Sequence, residues 1–304
     1  MAIRSPSPPA ELRWLTTSFL CCCLMMCPFG ATQADTTGAT TNRNARRDAA
    51  QSIPLWNMTP DMQQRIRAVL DKSTIYRRLP ESQIDCDPDL YLFLMRNPDV
   101  VVDIWRIMDA TQINLKRVAP FRYEAADGAG TTSTVELVYG TEDIHVFFGE
   151  GVYDGPLLRR PVNGRSVVVV RTQYSQDAQG RPQISSVLDM FLQIDHLGVD
   201  ALAKTFQPFF GKYADYNFTE TSRFLSRLSL TAEKNPDGVQ RLAHRLSELP
   251  EPVRMEFASV ASRIDGRTAL SNNHAIHRMS HQTSAPSRQP IPVSRYPADF
   301  PVYR

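Results

Sequence analysis

The sequence predicts an α+β protein in which an antiparallel sheet carries helices segregated to one face. Three observations carry that expectation. Residues 113–197 are dominated by alternating, β-branched and aromatic segments broken by turn chemistry, the period-2 signature of strands. Apolar residues at helical spacing precede this block, from Met62 to Met108, and return after Gly198. The chain has 42% hydrophobic residues and a formal net charge of +2, the composition of a globular protein without the basic surface that nucleic acid demands.

The first helix is announced by Thr59-Pro60-Asp61, a capping hydroxyl, a proline at the first helical position and a carboxylate suited to the dipole. It extends to about Lys72, with Met62, Ile66, Val69 and Leu70 on one side. Residues 73–84 read as extended. Asp87-Pro88 opens a second helix through Leu90, Leu92, Phe93 and Leu94, and Asn97-Pro98 interrupts and restarts it. Val101, Ile104, Trp105 and Met108 then continue at helical spacing.

A first strand is expected from Leu115 to Ala125, ending at Asp127-Gly128. Val135, Leu137 and Tyr139 alternate with Glu136 and Val138, and Ile144 to Phe148 returns after Gly140-Thr141-Glu142-Asp143, which predicts a hairpin. Gly149-Glu150-Gly151 and Tyr153-Asp154-Gly155-Pro156 read as a looping edge. Arg165 to Tyr174 and Ile184 to Asp195 form the last pair, joined by Gln179-Gly180-Arg181-Pro182, so the whole block is an antiparallel meander.

After Gly198 a long helical segment runs from Val199 to Glu233, with Leu202, Phe206, Phe209, Phe210 and Tyr213 on an aromatic face. Asn235-Pro236-Asp237-Gly238 stops it, and Val239 to Leu249 forms one further amphipathic helix.

The ends read differently. Arg4 and Arg13 precede the nearly uncharged run Leu15 to Phe29, and Thr32-Gln33-Ala34 offers small residues for a signal peptidase. The expectation is an exported, periplasmic or extracellular protein cleaved near Ala34. An uncleaved anchor is the alternative, but Thr16, Thr17, Ser18 and Pro28 interrupt a run shorter than the ~20 residues a bilayer requires. Cleavage removes Cys21, Cys22, Cys23 and Cys27 and leaves Cys86 as a buried thiol, so packing alone would hold the domain. Residues 35–55 read as a disordered leader, 56–255 as one domain, and 256–304 as a mostly disordered tail ending in a Pro-rich stretch.

The stretch Asp189-Met190-Phe191-Leu192-Gln193-Ile194-Asp195, passing through Gly198 into Leu202-Ala203-Lys204-Thr205-Phe206, resembles the last strand of a START-like, helix-grip domain entering its gripping helix. Together with the element order over residues 73–232, it resembles the superfamily of polyketide cyclases and lipid transfer domains. That superfamily has no short diagnostic motif. The resemblance implies a curved antiparallel sheet wrapped around a long C-terminal helix, with helices before the sheet. A departure is the length of the segment from Val199 to Glu233, interrupted by Pro208, which fits two helices as well as one.

If sheet and helix enclose a cavity, Phe147, Val169, Leu192, Phe206, Phe209, Phe210 and Tyr213 would line it and admit a lipid or polyketide-like molecule. The competing reading is that these side chains interdigitate as ordinary core. His145 and Asp195 are the weak candidates for acid–base catalysis, though no nucleophile or oxyanion site accompanies them. His274, His277 and His281 have spacing for weak metal binding on a helix, but no carboxylate or cysteine lies beside them, and no metal or cofactor is expected. Arg77-Arg78 and Arg159-Arg160 read as solvated pairs able to touch anionic headgroups, and Asn57 and Asn217 stand in glycosylation sequons.

The leading expectation is therefore noncatalytic binding of a hydrophobic small molecule in the cell envelope, with no nucleic acid partner. The alternatives are a START-like enzyme using His145 or Asp195, and an interaction protein with a solid core that contacts envelope proteins or a membrane surface.

Overall fold

The computed structural model describes residues 39–156, 160–195 and 214–275, with side chains through Ile264. The segment expected to be an export signal, Phe206, Phe209, Phe210 and Tyr213, and the Pro-rich end lie outside the described residues. The chain enters through α1 (Arg43–Ser52), a 3-10 turn (Leu55–Asn57) and α2 (Pro60–Lys72), followed by the short strands β1 (Ile75–Arg78) and β2 (Ser82–Ile84). Helices α3 (Pro88–Arg96) and α4 (Pro98–Ile107) lead into β3 (Asn114–Ala119), β4 (Arg122–Ala126), β5 (Thr131–Gly140), β6 (Ile144–Tyr153), β7 (Val162–Gln176) and β8 (Pro182–Ile194). Helices α5 (Ala214–Lys234), α6 (Pro236–Arg245) and α7 (Glu251–Ala275) close the described chain.

The fold is α+β, built on an open, antiparallel, eight-stranded sheet in the order β1-β8-β7-β6-β5-β4-β3, with β2 also paired to β8. Helix starts follow their local chemistry. Thr59 accepts from the Met62 amide, Asp87 accepts from the Asp89 and Leu90 amides at 2.9 and 3.2 Å, and Asn235 accepts from the Gly238 amide, each just before a proline at the first helical position.

Registers sort the sheet into two faces. Phe147, Val168, Met190 and Leu192 share the inner face, with His145, Val170, Leu188 and Ile194. Val146, Phe148, Val167, Val169 and Phe191 share the outer face. Helices α1 and α2 cover the outer face with Ala49, Ile53, Met62, Ile66 and Val69. On the inner side, α3 to α7 gather around Trp105, Leu225, Leu228 and Phe257, joined to the sheet through Ile84 and Ile184. Helices therefore lie on both faces, which corrects the expectation of a single covered face. The physical reason is burial on both sides of the middle strands, which makes Val167 to Val170 a continuous apolar run and not an alternating one.

Several element boundaries differ from the sequence reading. The strand expected from Leu115 to Ala125 is two strands, because Pro120 supplies no amide hydrogen and Phe121 turns the chain at φ 60°. The supposed looping edge at Gly149 to Gly151 is instead the second half of β6. Gly151 faces Ser133 so closely that an added Cβ would collide with the Thr132 carbonyl oxygen.

The leader contains α1 from Arg43, capped by Asn42, because its polar helix buries Ala49 and follows with buried Ile53. In the tail, α7 runs to Ala275 and buries Phe257, Val260, Ala261 and Ile264, so the boundary placed at 255 cuts a packed helix. No helix among the described residues is long and apolar enough to cross a membrane.

Candidate functional site

The inner face of the sheet is chemically divided along β6 to β8. At one end, Phe147, Val162, Val168, Leu192 and Ile194 cluster with Ala214 and Phe218 of α5. This end is apolar because alternate positions of β8, from Leu188 to Ile194, all place aliphatic or thioether groups on one side. Arg77, on the β1 edge of the same face, is partly shielded from solvent in a bidentate pair with Asp215 of α5, its Nε donating to Oδ1 at 2.9 Å. The start of α5 is thus tied to the sheet by charge and by packing.

At the other end of the inner face the lining becomes polar. The Tyr91 hydroxyl of α3 lies 3.1 Å from Thr172 Oγ1 and donates to Ser186 Oγ at 3.2 Å. The Tyr174 hydroxyl donates to the Glu142 carbonyl at 3.0 Å. His145 is diagonal to Thr172 across the β6–β7 pairing and is fully buried. Among the described residues neither of its ring nitrogens has a hydrogen-bond partner, and burial, reinforced by the Arg96 guanidinium, pulls its pKa down to about 3.

The outer face holds a separate charged network. Asp189, fully buried, accepts from Tyr76 Oη at 2.7 Å, Arg78 Nε at 2.8 Å and Arg171 Nη2 at 2.9 Å. Both arginines also reach Asp48 of α1, at 2.7 and 3.0 Å. The Arg78 guanidinium holds the Asp48 carboxyl below the ordinary aspartate range, whereas burial and Asp189 raise the Tyr76 hydroxyl. A third pair joins α4 to β3, where Arg117 spans Asp99 at 2.6 and 2.8 Å and also donates to Asn97. These buried carboxylates are committed to holding elements together.

The sequence-derived candidates fall apart in space. Phe147 and Leu192 share the inner face, whereas Val169 belongs to the outer face beside Phe191, so the three cannot line one chamber. His145 is on the inner face, but Asp195 sits at the far end of β8, accepting from Gln193 Nε2 at 3.0 Å and paired with Arg165 at 3.6 Å. The two therefore do not form a pair. The side chain of His274 and all of His277 and His281 lie outside the described residues.

Among the described residues no group of His, Cys, Asp or Glu is placed to hold a metal ion. Arg77 and Arg78 are not freely solvated surface but half-buried cations paired with the buried acids Asp215 and Asp189, and Arg159 lies outside the described residues. Asn217 is buried in α5, whereas Asn57 is exposed in the 3-10 turn. Cys86 is buried, and desolvation pushes its thiol up to about 12.

The outer-face network was missed in the sequence. Its signal was present as Asp189, a lone carboxylate in an otherwise apolar strand run, which in a folded core requires a cation.

No protein-family model matches the chain, and no curated protein matches it in sequence. Among solved structures, a hypothetical protein of Helicobacter pylori overlaps 49% of this chain and 84% of its own, at 12% identity and a TM-score of 0.30. A Rhizobium loti protein overlaps 50% of this chain and 96% of its own, at 16% identity and a TM-score of 0.29. Neither overlap assigns a family or a function.

Proposed function

We propose that the chain is an exported, noncatalytic protein that binds a hydrophobic small molecule, a lipid or polyketide-like compound, in the manner of a helix-grip domain. The observation that supports this reading is the apolar cluster at one end of the inner face, where Phe147, Val162, Val168, Leu192 and Ile194 meet Ala214 and Phe218 beside the Arg77–Asp215 pair. Apolar surface of that kind gains about 25 cal/mol for every Å² that a greasy ligand removes from water. An acid–base enzyme draws no support from the same face, because among the described residues His145 has no carboxylate partner and Asp195 bonds to Gln193 and Arg165 at the strand end.

One observation favours a second reading, an interaction protein with a solid core whose partners are envelope proteins or a membrane surface. Phe147 and Leu192 are only 8% and 3% exposed, which is the packing of an interior. Titration of the mature protein with a fluorescent fatty acid separates the two. Carriage predicts saturable uptake, abolished in Leu192→Trp because the indole fills the site. A solid core predicts no uptake, and overpacking by Leu192→Trp then costs about 1–3 kcal/mol in urea unfolding.

A further inference from the structure

His145 is an unusual residue to find where it lies. It is mid-sheet, paired with Gly140 on β5 and Val170 on β7, and has no exposed surface. Gly140 leaves room for the ring, since a Cβ there would come within 3.1 Å of His145 Cδ2. Among the described residues both ring nitrogens are without partners, so the neutral ring leaves one N–H unpaired, whereas an imidazolium would leave two and bury a charge as well.

The charged and titratable groups around it do not help. From α3 comes the Arg96 guanidinium, whose field opposes a second positive charge. Tyr91 of α3 and Tyr174 of β7 are raised by burial and stay neutral. Glu142 and Asp143, in the turn before β6, act on Tyr174, and Arg96 is itself felt by Glu256 of α7.

We propose that His145 is an acid-sensitive wedge: its protonation drives the β5–β6 hairpin away from the Arg96 end of α3 and opens the inner face there. The device is independent of any ligand. The imidazolium is far better solvated in the opened hairpin than in the closed sheet, so acid shifts the balance toward opening. The sign follows from the ring's ordinary pKa near 6.5 when exposed and its depressed value when buried. Closure is fully favoured above about pH 6.5 and weakens as pH falls toward 3.

The test is amide hydrogen exchange on the full chain at pH 7.5 and 4.5, expressed as protection relative to intrinsic rates. Protection of residues 137–140 and 144–147 is expected to fall about 100-fold in the wild type, a tenfold loss for each pH unit below the exposed pKa. In His145→Leu the same amides should keep their protection. An equal fall in His145→Leu, or no fall in the wild type, overturns the proposal. Should the variant not fold, the wild-type ring decides by NMR. Neutral-ring shifts retained by the closed form down to about pH 4 support the wedge, and an imidazolium inside an intact, protected hairpin overturns it.

Discussion

Tyr76, Arg78 and Arg171 converge on one carboxylate, Asp189, at 2.7 to 2.9 Å, and that carboxylate has no exposed surface. Deleting it leaves Arg78 and Arg171 with Asp48 alone beside an apolar face built by Phe191 and Val169, and removes the acceptor of the Tyr76 hydroxyl. Asp189→Ala is therefore expected to lose about 3–5 kcal/mol of unfolding free energy, read from urea denaturation. Asp195→Ala provides the contrast, because its Arg165 partner is 3.6 Å away and exposed, and its cost should stay within about 0.5 kcal/mol. A loss of similar size in both variants would mean that the network does not carry the load assigned to it. At this scale the sequence was legible for His145 as a strand residue and for Cys86 as a buried thiol. It was not legible for Arg77 and Arg78, because Asp215 and Asp189 are over a hundred positions away along the chain and Asp48 lies in a separate helix.

Elements were read well where local chemistry decides them. Thr59-Pro60, Asp87-Pro88 and Asn97-Pro98 each mark the start of an observed helix, and the hairpin between Tyr139 and Ile144 joins the observed β5 and β6. Elements held by distant partners were not. Helix α1 has a polar sequence, but Asp48 meets Arg78 and Arg171, and Arg46 donates to the Leu70 carbonyl and Ser73 Oγ.

Its ordering thus depends on the sheet and on α2, and no local pattern announces it. Asp48→Ala is expected to raise exchange of the Arg43–Ser52 amides severalfold while leaving α3 unchanged, at a global cost of up to about 1 kcal/mol. Unchanged α1 exchange would show that Ala49 and Ile53 suffice to dock it. Acid acts in the same direction, since the Asp48 carboxyl is held below its ordinary pKa. Its contribution is present above about pH 4 and is lost as pH falls through the folded value.

For the molecule as a whole, the α+β class and antiparallel pairing were legible, because period-2 runs between turn residues admit few alternatives. The second helical layer was not drawn from the sequence, although the uninterrupted run Val167 to Val170 implied burial on both faces. That layer places Val169 behind the sheet and leaves Phe147 and Leu192 as the described members of the candidate lining. What distinguishes binding from mere packing is occupancy. Native mass spectrometry of the purified protein, compared with its denatured mass, measures this directly. The account predicts an added mass of one small, organic-extractable molecule that is missing from Leu192→Trp, and a native mass equal to the bare chain, with no uptake of added fatty acid, would contradict it.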